Sequence, residues 1–455
     1  MKNVQLRDYQ EKILNDLKCV PSIGLFMKTG SGKTITSLAR FEQNGTPNLL
    51  VICPQKVVSQ WWDEIENHTD MKPLRYSMSL SSIKKWRIIE EYLENKDIKN
   101  KCVVVNFDIV SKLALQLYID DTWTIIIDES HKIKSMGTSK NPVQITQCCL
   151  ELGEKTDHKI ILTATPTEKE KGGYIDYYSQ LKFLGYLDYS LTYFKNKFCI
   201  MDKIQYPGMP FPIQKIVEYR MDKIKEDLMP ILQNTCRYYA PKYGDYEPQH
   251  IKIDIDLCKS YLKLCRERAY KDITFDNVSA FRIGKKTLTG GLITGTNEYK
   301  DRYYYKDNTN KVDWLEEFLS NTDDVVSILY SYNTELAMLE ELCKKLGKKY
   351  IIINGAVKDK PAELKKDFDV LLGQYEAFGE SLDGLQYKCH IMVFYSMPDS
   401  SRAYKQSLGR IDRIGQTEVP TYYYLIMRST IDVGIYNLLQ NKVEFSEKDL
   451  NSLDI

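Results

Sequence analysis

The chain has 455 residues, 43% of them hydrophobic and 27% charged. That length suffices for two or three domains with buried cores, and the balance excludes a fibrous or disordered chain. Lys+Arg 63 against Asp+Glu 62 leaves a formal charge of +1, which excludes a polybasic binder and confines any nucleic-acid surface to a local patch.

Met1–Arg7 has the pattern of neither a signal peptide nor a transit peptide. No apolar run nears the ~18 residues that span a bilayer, so a cytoplasmic protein without membrane contact is expected. The 11 cysteines lack a Cys-x-x-Cys pair and only 5 histidines accompany them, which points to reduced thiols rather than zinc ligands.

Leu6-Arg7-Asp8-Tyr9-Gln10 precedes a helical run, and the Gln10 amide carries the donor and acceptor that an adenine edge requires. The apolar run Ile23–Met27 then leads into Lys28-Thr29-Gly30-Ser31-Gly32-Lys33-Thr34 and a helical Ile35–Phe41. In such a strand, loop and helix, glycines let the backbone wrap phosphates and the helix start offers N–H groups to the anion. Lys33 is expected on the β- and γ-phosphates of a nucleoside triphosphate, and the Thr34 hydroxyl on Mg²⁺.

Further strands are expected at Leu49–Cys53, Cys102–Val105, Thr124–Ile127 and Lys159–Leu162. Continuous apolar runs of this kind mark parallel strands covered by helices on both faces, and ligands gather at the carboxyl ends of such sheets. Pro54-Gln55-Lys56 follows one strand end and precedes a helical Val57–Glu66, where backbone N–H groups can hold a nucleic-acid phosphate. Trp61 is a further candidate contact, and Trp62 is assigned to the core. Asp128-Glu129-Ser130-His131 ends the Thr124–Ile127 run. Asp128 suits a magnesium shell and Glu129 the orientation and deprotonation of an attacking water. Lys132, Lys134, Ser139 and Lys140 are candidate contacts or a solvated face. The hydroxyls of Leu162-Thr163-Ala164-Thr165-Pro166 suit a sensor of the γ-phosphate.

From Tyr174 to Arg302 aromatics and lysines become frequent, with helices expected at Tyr174–Leu187 and Cys258–Tyr270 and a linker at Pro241–Pro248. A second α/β rhythm follows, with strands at Val325–Tyr330, Tyr350–Ile353, Val370–Leu372, Ile391–Tyr395 and Tyr422–Ile426, and a helix at Thr334–Leu346. Ser331 and Tyr332 stand after the first of these strands, where a second phosphate grip is expected. Ser400–Gly409 reads as a helix, with Arg410 and Arg413 on one face if it continues. Two guanidinium forks there can stabilise charge on a transferred phosphoryl group.

The order of these strings carries a resemblance. Gln406-Ser407-Leu408-Gly409-Arg410-Ile411-Asp412-Arg413-Ile414-Gly415-Gln416 is similar to the last motif of helicase superfamily II. Its Ile-Gly-Gln, like Asp128-Glu129-Ser130-His131-Lys132-Ile133-Lys134, resembles the Swi/Snf-type branch of DNA translocases. Pro54 with Trp61 and Glu64, Thr163–Pro166 and the helical Tyr177–Leu184 also match that branch. The chain departs from it at Ser381 and Asp383, where the family usually has glycine and asparagine, and Ser429-Thr430-Ile431 is a partial match.

The resemblance implies an α/β fold of two RecA-like parallel-sheet lobes with helical insertions. Residues 1–245 would form the first lobe and 246–455 the second. ATP and Mg²⁺ would be held by Arg7, Gln10, Thr29, Gly30, Ser31, Gly32, Lys33, Thr34, Gly379 and Asp383, with Lys33, Asp128, Glu129, Gln406, Arg410 and Arg413 catalytic. The implied activity is a nucleic-acid-dependent ATPase moving on duplex DNA as a monomer, with a recruiting protein for targeting. A strand-separating DNA or RNA helicase is the rival. RNA helicases of the neighbouring box families usually carry His-Arg-Ile-Gly-Arg where this chain has Arg413-Ile414-Gly415-Gln416. A nucleotide-gated scaffold without turnover stands third.

Overall fold

The computed structural model describes residues 1–2, 4–28, 30–110, 115–137, 143–167, 173–205, 212–239, 246–275, 277–296, 302–378, 382 and 384–440. The chain divides into two compact units, Met1–Pro241 and Lys242–Ile455. Of the expected linker Pro241–Pro248, positions 241–245 lie outside the described residues.

The first unit contains strands β1 (Ile23–Met27), β2 (Asn48–Cys53), β3 (Cys102–Asn106), β4 (Trp123–Asp128) and β5 (Lys159–Thr163). The hairpin β6 (Cys199–Ile204) and β7 (Ile213–Tyr219) follows, then β8 (Cys236–Tyr239). Six of them make one parallel sheet in the order β3-β2-β4-β5-β1-β8. The runs are apolar throughout because both faces are covered: Ile125, Ile126 and Ile127 are wholly buried, as are Leu49 to Cys53. β8 fits beside β1 because position 24 is glycine. A Cβ on Gly24 would lie 2.6 Å from Cys236 Sγ.

The second unit opens with β9 (Gln249–Ile255), followed by the short hairpin β10 (Ala269–Tyr270) and β11 (Ile273–Thr274). A second hairpin, β12 (Leu292–Thr296) with β13 (Arg302–Lys306), precedes β14 (Val326–Tyr330). β15 (Tyr350–Ile353), β16 (Val370–Gln374), β17 (Ile391–Phe394) and β18 (Thr421–Met427) complete a parallel sheet ordered β15-β16-β14-β17-β18-β9. Each unit thus has its own hydrophobic core around a six-stranded parallel sheet, the α/β architecture of two RecA-like lobes.

Three readings change. The edge strands β8 and β9 were not expected, since a search for continuous apolar runs passes over them. β9 alternates as Gln-His-Ile-Lys-Ile-Asp-Ile, with its outer residues largely exposed. The region between the sheets holds hairpins as well as helices. Its first expected helix is shorter: a 3-10 turn at Tyr174–Asp176 precedes the α-helix Tyr177–Leu184, which stops at Gly185 with φ 89°. The second runs only Lys259–Glu267, because Arg268 takes φ 51° and turns the chain into β10.

Candidate functional site

The phosphate loop leaves the carboxyl end of β1 and enters the helix Lys33–Asn44. Gly30 and Gly32 have φ 84° and 76°, a backbone that other residues adopt at a cost, and a Cβ on Gly32 would meet Gln10 Nε2 at 2.7 Å. The Lys33 ammonium donates to the carbonyls of Met27 at 3.0 Å and Lys28 at 3.4 Å, so it lies inside the loop. Ser31 donates to the Lys28 carbonyl. Thr34 sits in the helix's first turn, partly exposed. Thr29 lies outside the described residues.

The N-terminal segment braces this loop from the side. Gln10 is buried, donates through Nε2 to Gly32 O at 3.2 Å and Thr36 Oγ1 at 2.9 Å, and accepts the Arg7 N–H through Oε1. Its amide is therefore committed to the loop rather than turned outward to a base, while Arg7 is exposed. Tyr9 donates to the Ser31 carbonyl at 2.8 Å and stacks on Tyr239 with centroids 4.2 Å apart. Tyr239 in turn accepts the Lys28 N–H through its carbonyl.

At the end of β4, the two Asp128 oxygens accept from Trp61 Nε1 at 3.0 Å and from the Glu129 N–H at 2.9 Å. Burial and the neighbouring Glu129 charge raise the Asp128 carboxyl to about 6, against the opposing effects of the Trp61 hydrogen bond and the Lys33 ammonium. Asp128 thus shares a field with the loop lysine. Glu129 takes φ 53°, a left-handed backbone uncommon outside glycine that turns its side chain away from the strand direction. His131 Nδ1 lies 3.1 Å from Glu129 Oε2 and 3.1 Å from Thr163 Oγ1, and Thr163 Oγ1 accepts the Thr165 N–H. Thr163 is wholly buried, and His131 lies between it and Glu129.

Sequence reasoning missed Gln180, although its helix was singled out. This buried amide accepts from Ser130 Oγ and donates to the carbonyls of Pro166 and Asp176, tying the acidic box to the Thr163–Pro166 turn. Trp61 needs correction as a nucleic-acid contact: it is 2% exposed and spends its one donor on Asp128. Trp62 is likewise buried. Pro54 is partly exposed and Gln55 and Lys56 are exposed, in a 3-10 turn ahead of the helix Val58–His68. Lys132 is exposed over the Phe107 ring, and Ser139 and Lys140 lie outside the described residues.

In the second unit, Ser331 and Tyr332 are not an open phosphate grip. Their N–H groups donate to Glu335 Oε2 at 2.9 and 3.0 Å, and Ser396 Oγ donates there as well. Glu335 is wholly buried and burial raises its carboxyl above the ordinary range, so the slot is filled by the chain's own acid. The helix Ser401–Leu408 carries Gln406 and ends before the arginines, which stand in the following turn. Arg410 is 8% exposed and donates to Leu382 O at 2.8 Å, while Arg413 is partly exposed. Gly379 and Asp383 lie outside the described residues.

The first unit thus fits a magnesium nucleotide: an open glycine loop, a lysine within it, a hydroxyl in the first helical turn and one oriented carboxylate. Among the described residues no three His, Cys, Asp or Glu side chains gather as a metal cage.

Comparison with known proteins gives the class. Residues 13–236, nearly the whole first unit, match the SNF2-related domain. This part of the chain is an SNF2-related domain, in keeping with the motifs. It is 27% identical over 159 residues to the uncharacterized ATP-dependent helicase YqhH of Bacillus subtilis, covering 34% of this chain and 28% of that one. It is 21% identical to the TATA-binding protein-associated factor BTAF1 of Arabidopsis thaliana over 99% of this chain and 25% of that protein. The chain therefore spans about a quarter of these relatives' length. A solved structure, the Sulfolobus solfataricus SWI2/SNF2 ATPase core in complex with dsDNA, aligns at 17% identity and TM-score 0.43 over 97% of this chain and 92% of that one.

Proposed function

We propose that the protein is a nucleic-acid-dependent ATPase that moves along duplex DNA. The observation that carries this reading is the meeting of Lys33 with Asp128 in one electrostatic field, with Glu129 turned out beside them and fixed by His131. Lys33, Thr34 and the Gly30–Gly32 backbone hold the triphosphate, and Thr34 and Asp128 hold Mg²⁺. The ion, when bound, neutralises charge on the phosphate oxygens. Glu129 orients the attacking water and takes its proton, with His131 between it and Thr163 as the relay to the Thr163–Pro166 turn. Arg410 and Arg413 of the second unit complete the site when the two halves close on nucleotide, which ties closure to hydrolysis. Gln406 stands one turn before Arg410 on the same segment and supports it.

Pro54, Gln55 and Lys56, exposed ahead of a helix start, serve as the first unit's contact to the strand backbone. The protein works as a cytoplasmic monomer brought to its DNA by another protein. The test is the ATP hydrolysis rate with duplex DNA, single strands, forks and RNA, beside triplex-displacement and strand-displacement assays. Duplex stimulation with triplex displacement is expected. Robust unwinding without triplex displacement transfers the assignment to a strand-separating helicase. Hydrolysis indifferent to every nucleic acid ends the motor reading.

A further inference from the structure

The second unit encloses a cavity of about 620 Å³ between the hairpins β10–β11 and β12–β13, the helix Val278–Thr289 and the segment that follows β14. Its apolar wall includes Phe275, Ile283, Tyr304 and Tyr332, and its polar edge includes Asn333 and Thr334. Among the described residues no charged side chain lines it, and the Lys286 ammonium, 5.6 Å from the centroid of the Tyr332 ring, is paired with Asp399 at 2.6 Å. That composition discriminates between parts of a nucleotide: the cations nearest Tyr332, Lys286 and Arg282, are already engaged by Asp399 and not offered to a phosphate, whereas a neutral flat ring finds aromatic faces and hydrogen-bonding groups. The volume lies within the ordinary range for small-ligand sites.

Three further observations point the same way. Thr334 Oγ1 is buried with no hydrogen-bond partner, a polar atom that costs stability unless a guest supplies one. Tyr304 is 66% exposed at the rim and Ile283 38%, so two apolar side chains stand in water where a stacked ring would cover them. The adjoining Ser331 and Tyr332 N–H groups are already held by Glu335, a buried acid that repels phosphate from this segment.

We propose that this cavity receives one unstacked nucleobase of a bound strand, with Tyr304 and Tyr332 as stacking faces and Asn333 and Thr334 reading the base edge. The inference rests on the reading that the chain works on nucleic acid. It gives the second unit a means of gripping the strand by a base where a phosphate grip is blocked. A strand with a base already out of its stack enters most readily, because the cost of unstacking is already met. The second unit should therefore favour bulged or damaged duplex over perfect duplex.

The experiment uses the full chain and a duplex with 2-aminopurine at a one-nucleotide bulge, against the fully paired duplex of the same sequence. Binding is measured without nucleotide by fluorescence and anisotropy. The bulged duplex is expected to bind about tenfold tighter, the increment of one base–aromatic stack. Tyr304→Ala, which removes a face, and Ile283→Trp, which fills the cavity, are both expected to erase that preference while leaving affinity for paired duplex unchanged. Equal affinity of the parent chain for the two duplexes overturns the proposal, as does a preference that survives both substitutions. Saturable uptake of free 2-aminopurine riboside without any bulge preference overturns the strand as the source. Because binding is read without turnover, lost bulge preference beside intact duplex-stimulated hydrolysis counts against the pocket alone. Hydrolysis that ignores DNA counts against the motor alone.

Discussion

Replacing Asp128 by asparagine should stabilise the first unit while removing its activity. Burial and the Glu129 charge hold the Asp128 carboxyl at about 6, against an ordinary 3.8, when no metal is bound. A shift of that size corresponds to at most about 3 kcal/mol of penalty for carrying the charge at neutral pH. Asparagine removes the charge and keeps one carbonyl oxygen, so one of the two bonds from Trp61 Nε1 and the Glu129 N–H is lost. That loss costs about 1 kcal/mol, which leaves a net gain of about 1–2 kcal/mol, or about 4 °C in midpoint for a unit of this size.

The sign of the pH dependence follows from the raised value. Protonation favours the folded state, so the parent's deficit is absent below the unfolded value near 4, grows as pH rises, and is complete above about 6. Thermal unfolding of parent and Asp128→Asn in chelator from pH 4 to 8 should show the variant no more stable than the parent at pH 4, an advantage that opens between about pH 4 and 6, and a constant gap above that. A gap that does not change with pH, or a variant less stable than the parent at pH 7.5, refutes the argument. Mg²⁺-ATP should stabilise the parent more than the variant, which keeps the phosphate loop but loses one charged ligand to the ion.

Glu129→Gln should reduce ATP hydrolysis by about 10²–10⁴-fold with ATP binding retained, whereas Lys33→Ala should weaken both; fluorescent-nucleotide titration beside a phosphate-release assay separates them. Trp61→Phe removes the donor on Asp128 Oδ2 and should cost about 2 kcal/mol in urea unfolding, with the acid limb of the rate profile moved to higher pH. Lys311→Met should destabilise the second unit by about 3–5 kcal/mol, since it strands Asp432 in a site where both partners are buried at 2.7 Å; adding Asp432→Asn should restore part of that in the same melt. Alkylation of the native chain should label Cys19 first, Cys148 and Cys265 more slowly, and the eight buried cysteines only on unfolding, as mass spectrometry can count. Burial pushes the Cys236 and Cys389 thiols up to about 12, which suppresses the reactive thiolate as well as access.

The sequence was most legible where a functional side chain ends a buried strand. Asp128 closes an unbroken apolar run and Lys33 opens a helix after another, so periodicity and composition place both. What it hid are bonds between side chains far apart in the chain. Neither Trp61 nor Asp128 betrays that the indole spends its donor on the carboxylate 67 residues on. Gln180 looks like any polar residue on a helix until its fold partners, Ser130 and Pro166, surround it. Gln10 has the donor and acceptor an adenine needs, yet the same chemistry suits the backbone of Gly32, and packing decided between them. The edge strands escaped because a strand with one wet face alternates, and alternation over seven residues competes with turns and short helices.

The two helix starts that follow β1 and β14 show how one side chain decides what a fold element does. Each presents unpaired N–H groups and the positive end of a helix dipole to whatever lies ahead. In the helix Lys33–Asn44 the third position is Ile35, which has no acceptor, and the flanking glycines keep the approach clear. An anion from outside can therefore occupy that start, with Lys33 beside it. In the helix Asn333–Lys345 the third position is Glu335, whose carboxylate folds back onto the Ser331 and Tyr332 N–H groups and closes the start from within. The first start is open to an anion, and the second is a joint closed by Glu335. Since an internal carboxylate held by three hydrogen bonds has no translational freedom to lose, a phosphate arriving from solution competes with it at a disadvantage. On the proposed reading, the second unit's hold on a strand comes from surfaces beside that joint, where the aromatic cavity opens.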